Sequence, residues 1–235
     1  MLNADFWQKY FRVYDVLNQI VPYGELLDEI VKEAKIRAGD SILDAGVGTG
    51  NLALLLEKEG ARVVGLDFSE GALDAYKRKN SKASVVKADL TQSLPFEENY
   101  FDTIVSNNVL YNIPREKRGA VIREFERVLK PGGRIVLSNI HKNFKPIKIY
   151  FESFKKNIKK DGFLTTLFLA VRMSFPTIKM FYYNFLIRKA HKFSTPNLFD
   201  FEEQGDLFKK AGFINISPTK LVYAGQGILN SAQKR

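Results

Sequence analysis

The feature that most constrains this chain is a turn. A short apolar run, Ser41–Ala45, breaks into Gly46-Val47-Gly48-Thr49-Gly50 and leads at once into an amphipathic run over 52–59, closed by Gly60. A strand, a tight glycine turn and a helix in that order form the first half of a βαβ unit. Such a unit commits the chain to a parallel sheet, because a parallel partner is reached only through a crossover. The pattern then repeats. Strands are expected at Arg62–Asp67, 84–88, 103–106 and 134–139, and helices at Glu70–Lys79 and 115–129. Short apolar strands alternating with amphipathic helices predict an α/β sheet covered on both faces. Beyond residue 195, a helix over 201–211 and strands over 213–217 and 221–225 are expected, the strands as an antiparallel pair at the sheet edge.

Glycines in this turn let the backbone bend sharply and bring bare amides close to a ligand at a helix start. The spacing is G-x-G-x-G. A dinucleotide fingerprint would place a third glycine at position 51, where Asn51 stands, and here an acid, Asp44, precedes the turn. Asp67 closes the second strand, 23 residues after Asp44. A carboxylate there can accept both ribose hydroxyls of a nucleoside lying across the strand ends. Phe68 offers a flat face to a base, Asp89 can accept from an exocyclic amine beside Leu90, and Asn107 extends the arc after the fourth strand.

These residues, with Leu94-Pro95-Phe96, Phe101-Asp102-Thr103-Ile104-Val105-Ser106-Asn107 and Leu129-Lys130-Pro131-Gly132-Gly133, resemble the class I, Rossmann-fold S-adenosylmethionine-dependent methyltransferases, in that family's order. The resemblance implies a Rossmann-like, seven-stranded, mostly parallel sheet with helices on both faces and one antiparallel edge strand. It implies S-adenosylmethionine as cofactor, with Asp67 on the ribose, Asp89 on the adenine, and Gly46, Gly48 and Gly50 around the methionine portion. Tyr14-Asp15-Val16-Leu17-Asn18 and Gly225-Gln226-Gly227-Ile228 are similar to the methyltransferase-11 and ubiquinone/menaquinone methyltransferase-like group. Ser106-Asn107-Asn108 stands where the quinone enzymes carry an arginine.

Composition narrows the chemistry. The chain has no cysteine and two histidines, which excludes a cysteine nucleophile and gives no metal-ligand pattern. Methyl transfer from a sulfonium is a direct displacement, so a protein contributes alignment and exclusion of water. A phenol or activated carbon must also lose a proton, and the candidate bases are His141, Tyr14 and Tyr111. The net charge of +10 is confined to one segment: residues 142–192 hold twelve Lys and Arg against two acids, and the remainder balances. That segment separates three units: an N-terminal helical lid over 1–38, a core of 39–141 and 196–235, and a basic, aromatic helical insertion over 142–195.

Within the insertion, helices are expected over 147–158, 164–175 and 178–187. Ile147, Phe151, Phe154 and Ile158 fall on one face of the first and Lys148, Lys155, Lys156, Lys159 and Lys160 around the other, the apolar face being buried by its neighbours or lying on a membrane. Two readings of the segment stand: a cap over the active site, or a cap that also contacts a membrane peripherally through 142–192. Two functions stand beside them: methyl transfer to a small hydrophobic or lipid-like acceptor, or a non-catalytic cofactor-binding fold used as a membrane or protein interaction module. Nucleic acid is not an expected partner, a cytoplasmic location is expected from the absent leader pattern, and the oligomeric state is not legible. Calorimetric titration should show micromolar binding of S-adenosylmethionine and its demethylated product, and no heat with NAD.

Overall fold

Strand pairing follows the crossovers. The computed structural model describes residues 4–190 and 198–235. Helix α1 (Ala4–Tyr14) runs into a 3-10 turn (Asp15–Gln19) and α2 (Val21–Ala34). Next come β1 (Ser41–Ala45), α3 (Asn51–Lys58), β2 (Arg62–Asp67), α4 (Glu70–Lys79), β3 (Ser84–Lys87) and β4 (Phe101–Asn107). Helix α5 (Arg115–Val128), β5 (Leu129–Ile140), α6 (Pro146–Asp161), α7 (Phe163–Ala190), α8 (Glu203–Lys210), β6 (Lys220–Val222) and β7 (Gly227–Gln233) complete the described chain. The strands form one seven-stranded sheet in the order β3-β2-β1-β4-β5-β7-β6.

Strands β1 to β5 are parallel, and β7 runs against both β5 and β6. Successive residues of the central strands point to opposite faces, as pleating requires. Ile42, Val105 and Val136 join Leu26, Ile30 and Leu56 on one side. Leu43, Ile104 and Leu137 join Ile122, Phe125 and Phe208 on the other. Both faces are therefore dry, and these strands have no polar alternation to give.

The C-terminal strands fall later than the pattern predicts. Residues 213–217 make only an isolated bridge, Ile214 to Gln233, and the pair forms at Lys220–Val222 and Gly227–Gln233. The reversed strand lies one place in from the edge, with short β6 outside it.

The insertion also departs from its pattern. Helix α6 buries Ile149, Ser153 and Asn157, while Ile147 and Phe151 are exposed. The reason lies in α2, whose first amides have no intrahelical partner. Ser153 Oγ accepts the Val21 amide at 3.2 Å, and Lys156 pairs with Glu25 at 2.6 Å. Small polar side chains thus face inward because they complete the end of a neighbouring helix. Helix α7 is continuous through Pro176, where a break is expected from sequence, and turns Thr166, Met173 and Met180 inward. The expected boundary at 195/196 lies outside the described residues.

After the insertion the chain is tied back by a buried cation. The Arg118 guanidinium is fully buried, stacks 4.0 Å from the centre of the Phe199 ring, and donates through Nε to the Leu110 and Ile113 carbonyls at 3.2 and 3.3 Å. Its Nη1 pairs with Glu203 at the start of α8. Burial pushes the Glu203 carboxyl up, yet its bonds to Arg115, the Asp200 amide and Arg118 hold it below its usual value. Glu203→Ala would leave a charge in the core, so urea denaturation should show a loss of about 3–5 kcal/mol.

Candidate active site

The glycine turn is fixed from two sides. The amides of Gly46 and Val47 both donate to the Leu66 carbonyl at the end of β2, at 2.7 and 2.9 Å. A Cβ at Gly50 would lie 2.1 Å from the Tyr76 ring, and one at Gly46 would lie 2.3 Å from Val109. At Gly48, φ is +54° and a Cβ would meet open space. The outer glycines are thus required by packing, whereas the middle one presents bare backbone to a cavity.

That cavity has a volume of about 30 Å³ and is lined by the glycine turn together with Tyr14, Tyr23, Asp44, Asn51 and Asn107. It contains unpaired acceptors. Asp44 Oδ2 and Asn107 Oδ1 are buried without hydrogen-bond partners. Burial and then the neighbouring Asp67 push the Asp44 carboxyl up to about 8. Asn51 Nδ2, a donor, is buried there without a partner as well. A cleft with room for one small group, and with two unpaired side-chain oxygens and one amide donor on its lining, suits a charged group that brings donors of its own. The α-ammonium of a methionine portion is such a group, so these residues fit the expected cofactor.

The sheet rim carries the rest of the arc. Asp67 accepts the Gly48 amide on Oδ2 at 3.0 Å and the Ser69 amide on Oδ1 at 2.9 Å, which leaves lone pairs on both oxygens. Burial raises its carboxyl above the ordinary range despite those bonds. Phe68, next to it, is 62% exposed, and Leu90 is buried. Asp89 is exposed and accepts the Thr91 amide at 2.8 Å, beyond β3 and one strand from Asp67. Asn107, Asp44 and Asp67 end the adjacent strands β4, β1 and β2, and Asp89 follows β3. One edge of the sheet thus collects them in the order the sequence implies.

Two tyrosines, Tyr14 and Tyr23, also line the cavity, and three more lie near them. Tyr10, Tyr14, Tyr23, Tyr111 and Tyr223 lie close enough to perturb one another. Burial, reinforced by these neighbours, pushes the phenols of Tyr10, Tyr14 and Tyr223 well above their usual value, and burial takes Tyr23 up to about 12. All four stay protonated near neutral pH, so Tyr14 is a donor here and no base. Tyr111 is half-buried, and its own amide donates to Asn139 Oδ1 at 3.3 Å.

His141 is not brought to the cavity. Its Nδ1 accepts the Asn143 amide at 3.1 Å and its Nε2 meets the Gly225 carbonyl at 2.9 Å, so both ring nitrogens brace the loop between β6 and β7. In that loop Tyr223 and Ala224 take φ of +55° and +56°, a strained pair held by bonds from the Gln226 amide to the Val222 and Tyr223 carbonyls. The strain delivers Tyr223 to Tyr23, with ring centres 6.1 Å apart. Sequence reasoning does not find Tyr23 or Tyr223. Their only advance signals are Pro22, which starts a helix at this point, and Gly225, which closes the turn.

The N-terminal segment is latched to the glycine turn. Asp15 Oδ1 accepts from Thr49 Oγ1 at 2.7 Å and from Lys79 at 2.8 Å, while Asn51 Oδ1 accepts from Asn18 at 3.1 Å. Phe11 of α1 packs on Ala72 and Ala75 of α4.

Comparison with known proteins agrees with this geometry. The family model described as a methyltransferase domain matches residues 43–137. The chain is 30% identical to a demethylmenaquinone methyltransferase of Symbiobacterium thermophilum, over 98% of this chain and 92% of that protein. It is 32% identical to the enzyme of the same name from Shouchella clausii, over 67% of this chain and 72% of that one. Among solved structures, a SAM-dependent methyltransferase from Aquifex aeolicus superposes with a TM-score of 0.63 at 16% identity, covering all of both chains.

Asp44 generates a prediction with a definite sign. Its folded value of about 8 lies above its unfolded value near 3.8, so the folded state holds the extra proton between them. Stability of the unliganded protein should therefore fall as pH rises from about 4 to about 8, then level off. Asp44→Asn should flatten that fall and raise the melting temperature at pH 8, measured by scanning calorimetry. The same variant should bind S-adenosylmethionine about tenfold or more weakly, because a charged hydrogen-bond partner has gone.

Proposed function

The chain belongs to the S-adenosylmethionine-dependent methyltransferases, and we propose that it methylates a small, hydrophobic, quinone-like acceptor held against its tyrosine cluster. The observation that carries this reading is that cluster: buried phenols, all neutral, two of which line a narrow cleft together with the glycine turn. Neutral donors on a flat aromatic surface suit a ring bearing oxygen atoms. They offer nothing to a phosphate or a carboxylate, which would call for cations. The names of the two relatives point to the same class of acceptor.

Bound S-adenosylmethionine supplies an electrophilic methyl on sulfonium. Asp44 and Asn107 would hold its ammonium, Asp67 its ribose hydroxyls, Phe68 and Asp89 its adenine, and Gly48 would leave room for the chain between. Tyr14 and Tyr23 donate to the acceptor's ring oxygens, which orients the ring and stabilises negative charge on it. The acceptor must be electron-rich, so its reduced, hydroquinol form is the reactive one. With the cofactor bound, a ring carbon would take the methyl while the old bonding pair stays on sulfur, and the ring proton would leave to solvent once the cleft reopens. No dedicated base is assigned, since the four phenols stay protonated and both nitrogens of His141 are engaged. The latch from Asp15 to Thr49 keeps the N-terminal segment over the turn and excludes water.

Labelled S-adenosylmethionine with a short-chain demethylated naphthoquinol should give methylated ring and S-adenosylhomocysteine in equal amounts. Tyr14→Phe and Tyr23→Phe should each lower kcat by about tenfold to a hundredfold, a larger effect than on cofactor affinity, as expected for one lost donor to developing charge. Transfer to small amines with none to the quinol would overturn the acceptor class.

A further inference from the structure

Helix α7 leaves one side uncovered. Leu164, Phe168, Val171, Phe175 and Ile178 are spaced four and three residues apart along it, Phe185 follows two turns later, and each is between 61% and 79% exposed. At 100° per residue they form a single stripe, about 32 Å long. The opposite line, Thr166, Met173 and Met180, faces the protein. No described residue covers the stripe. It lies beside α6, on which α7 packs and whose Ile147 and Phe151 are also exposed. An apolar face of this length is far beyond the scattered exposed residues of an ordinary surface.

We propose that this face of α6–α7 docks, in the plane of the interface, on an anionic lipid surface. Charge selects the occupant. Residues 142–192 carry twelve Lys and Arg against two acids while the rest of the chain balances, so a second copy laid on this face would meet its own excess of positive charge. An anionic surface is complementary. Lys148, Lys155 and Lys159 occupy the exposed side of α6, and Arg172 and Lys179 flank the stripe, with Lys179 Nζ 5.3 Å from the centre of the Phe175 ring. Aromatic and aliphatic side chains in the middle with long cations at the margin describe a helix that lies in an interface, its cations reaching back to the headgroups. Crossing is not the alternative, because no helix among the described residues is long and apolar enough to span a membrane.

The inference rests on the hydrophobic-acceptor reading only for its purpose. A cap seated on the bilayer draws its acceptor from the lipid phase, and the same cap contributes Met173 and Met180 to the core that holds Tyr23.

Vesicle co-sedimentation of the full chain with S-adenosylhomocysteine tests it. Wild type should pellet with vesicles of mixed phosphatidylglycerol and phosphatidylcholine, stay in solution with phosphatidylcholine alone, and be released as salt rises. Phe168→Ser with Phe175→Ser should abolish pelleting at every salt concentration. Lys148→Glu with Lys155→Glu and Lys159→Glu should weaken it at least tenfold. Both variants should keep wild-type cofactor affinity and wild-type turnover of a short-chain acceptor without vesicles, which shows that they fold. Wild type remaining in solution with anionic vesicles overturns the proposal. So does a dimer in sedimentation equilibrium that the phenylalanine variant dissolves, since the face then binds a second copy. Vesicle binding without quinol methylation would sink the acceptor reading alone, and quinol methylation without vesicle binding would sink this one alone.

Discussion

The close approach of two backbones at the top of the sheet governs the site. The Leu66 carbonyl accepts two successive amides of the glycine turn, and the Tyr76 ring lies against Gly50 and Gly65 with no space for a Cβ. Tyr76 is in turn held by its own bond to Glu57 at 2.6 Å. The end of β2 and the start of α3 therefore cannot separate, which brings Asp67 to the Gly48 amide and to Asp44. Replacing either packed glycine would move two carboxylates and the cavity between them together.

Those carboxylates are costly. Asp44 and Asp67 are like charges with little solvent, and both titrate above the ordinary carboxylate range. A protein concerned only with stability would place an apolar residue at 44, inside a sheet that is otherwise dry. The unpaired oxygens of Asp44 and Asn107 are what the proposed ammonium contact would satisfy, a cost to folding of the kind that function commonly imposes.

The same logic holds at larger scale for the cap. Its inward surfaces combine Ile149, Met173 and Met180 with small polar groups that finish α2, while Ile147, Phe151 and the stripe from Leu164 to Phe185 point away from the protein. The tyrosine cluster depends on that segment indirectly. The loop carrying Tyr223 is braced by His141 and by the Lys145 amide on Gln226 at 2.8 Å, both at the base of the insertion. Motion in the cap can therefore reach the phenols without passing through the sheet.

The cofactor half of this protein is written in local sequence. Asp44, the three glycines of the turn, Asp67, Asp89 and Asn107 are each set by a strand end, and strand ends are marked by short apolar runs that periodicity reveals. Their gathering on one rim follows from right-handed crossovers, so order along the chain becomes order in space. The acceptor half is different. Tyr14 and Tyr23 are near neighbours in the chain, but Tyr111 and Tyr223 come from elements far beyond them, and only packing brings the four together. For a related reason, the sequence leaves open which side of α6 faces the protein: periodicity shows that a helix has two sides, but the neighbour decides which one is buried. Here the neighbour was the open end of α2, which needed the hydroxyl of Ser153 more than the ring of Phe151.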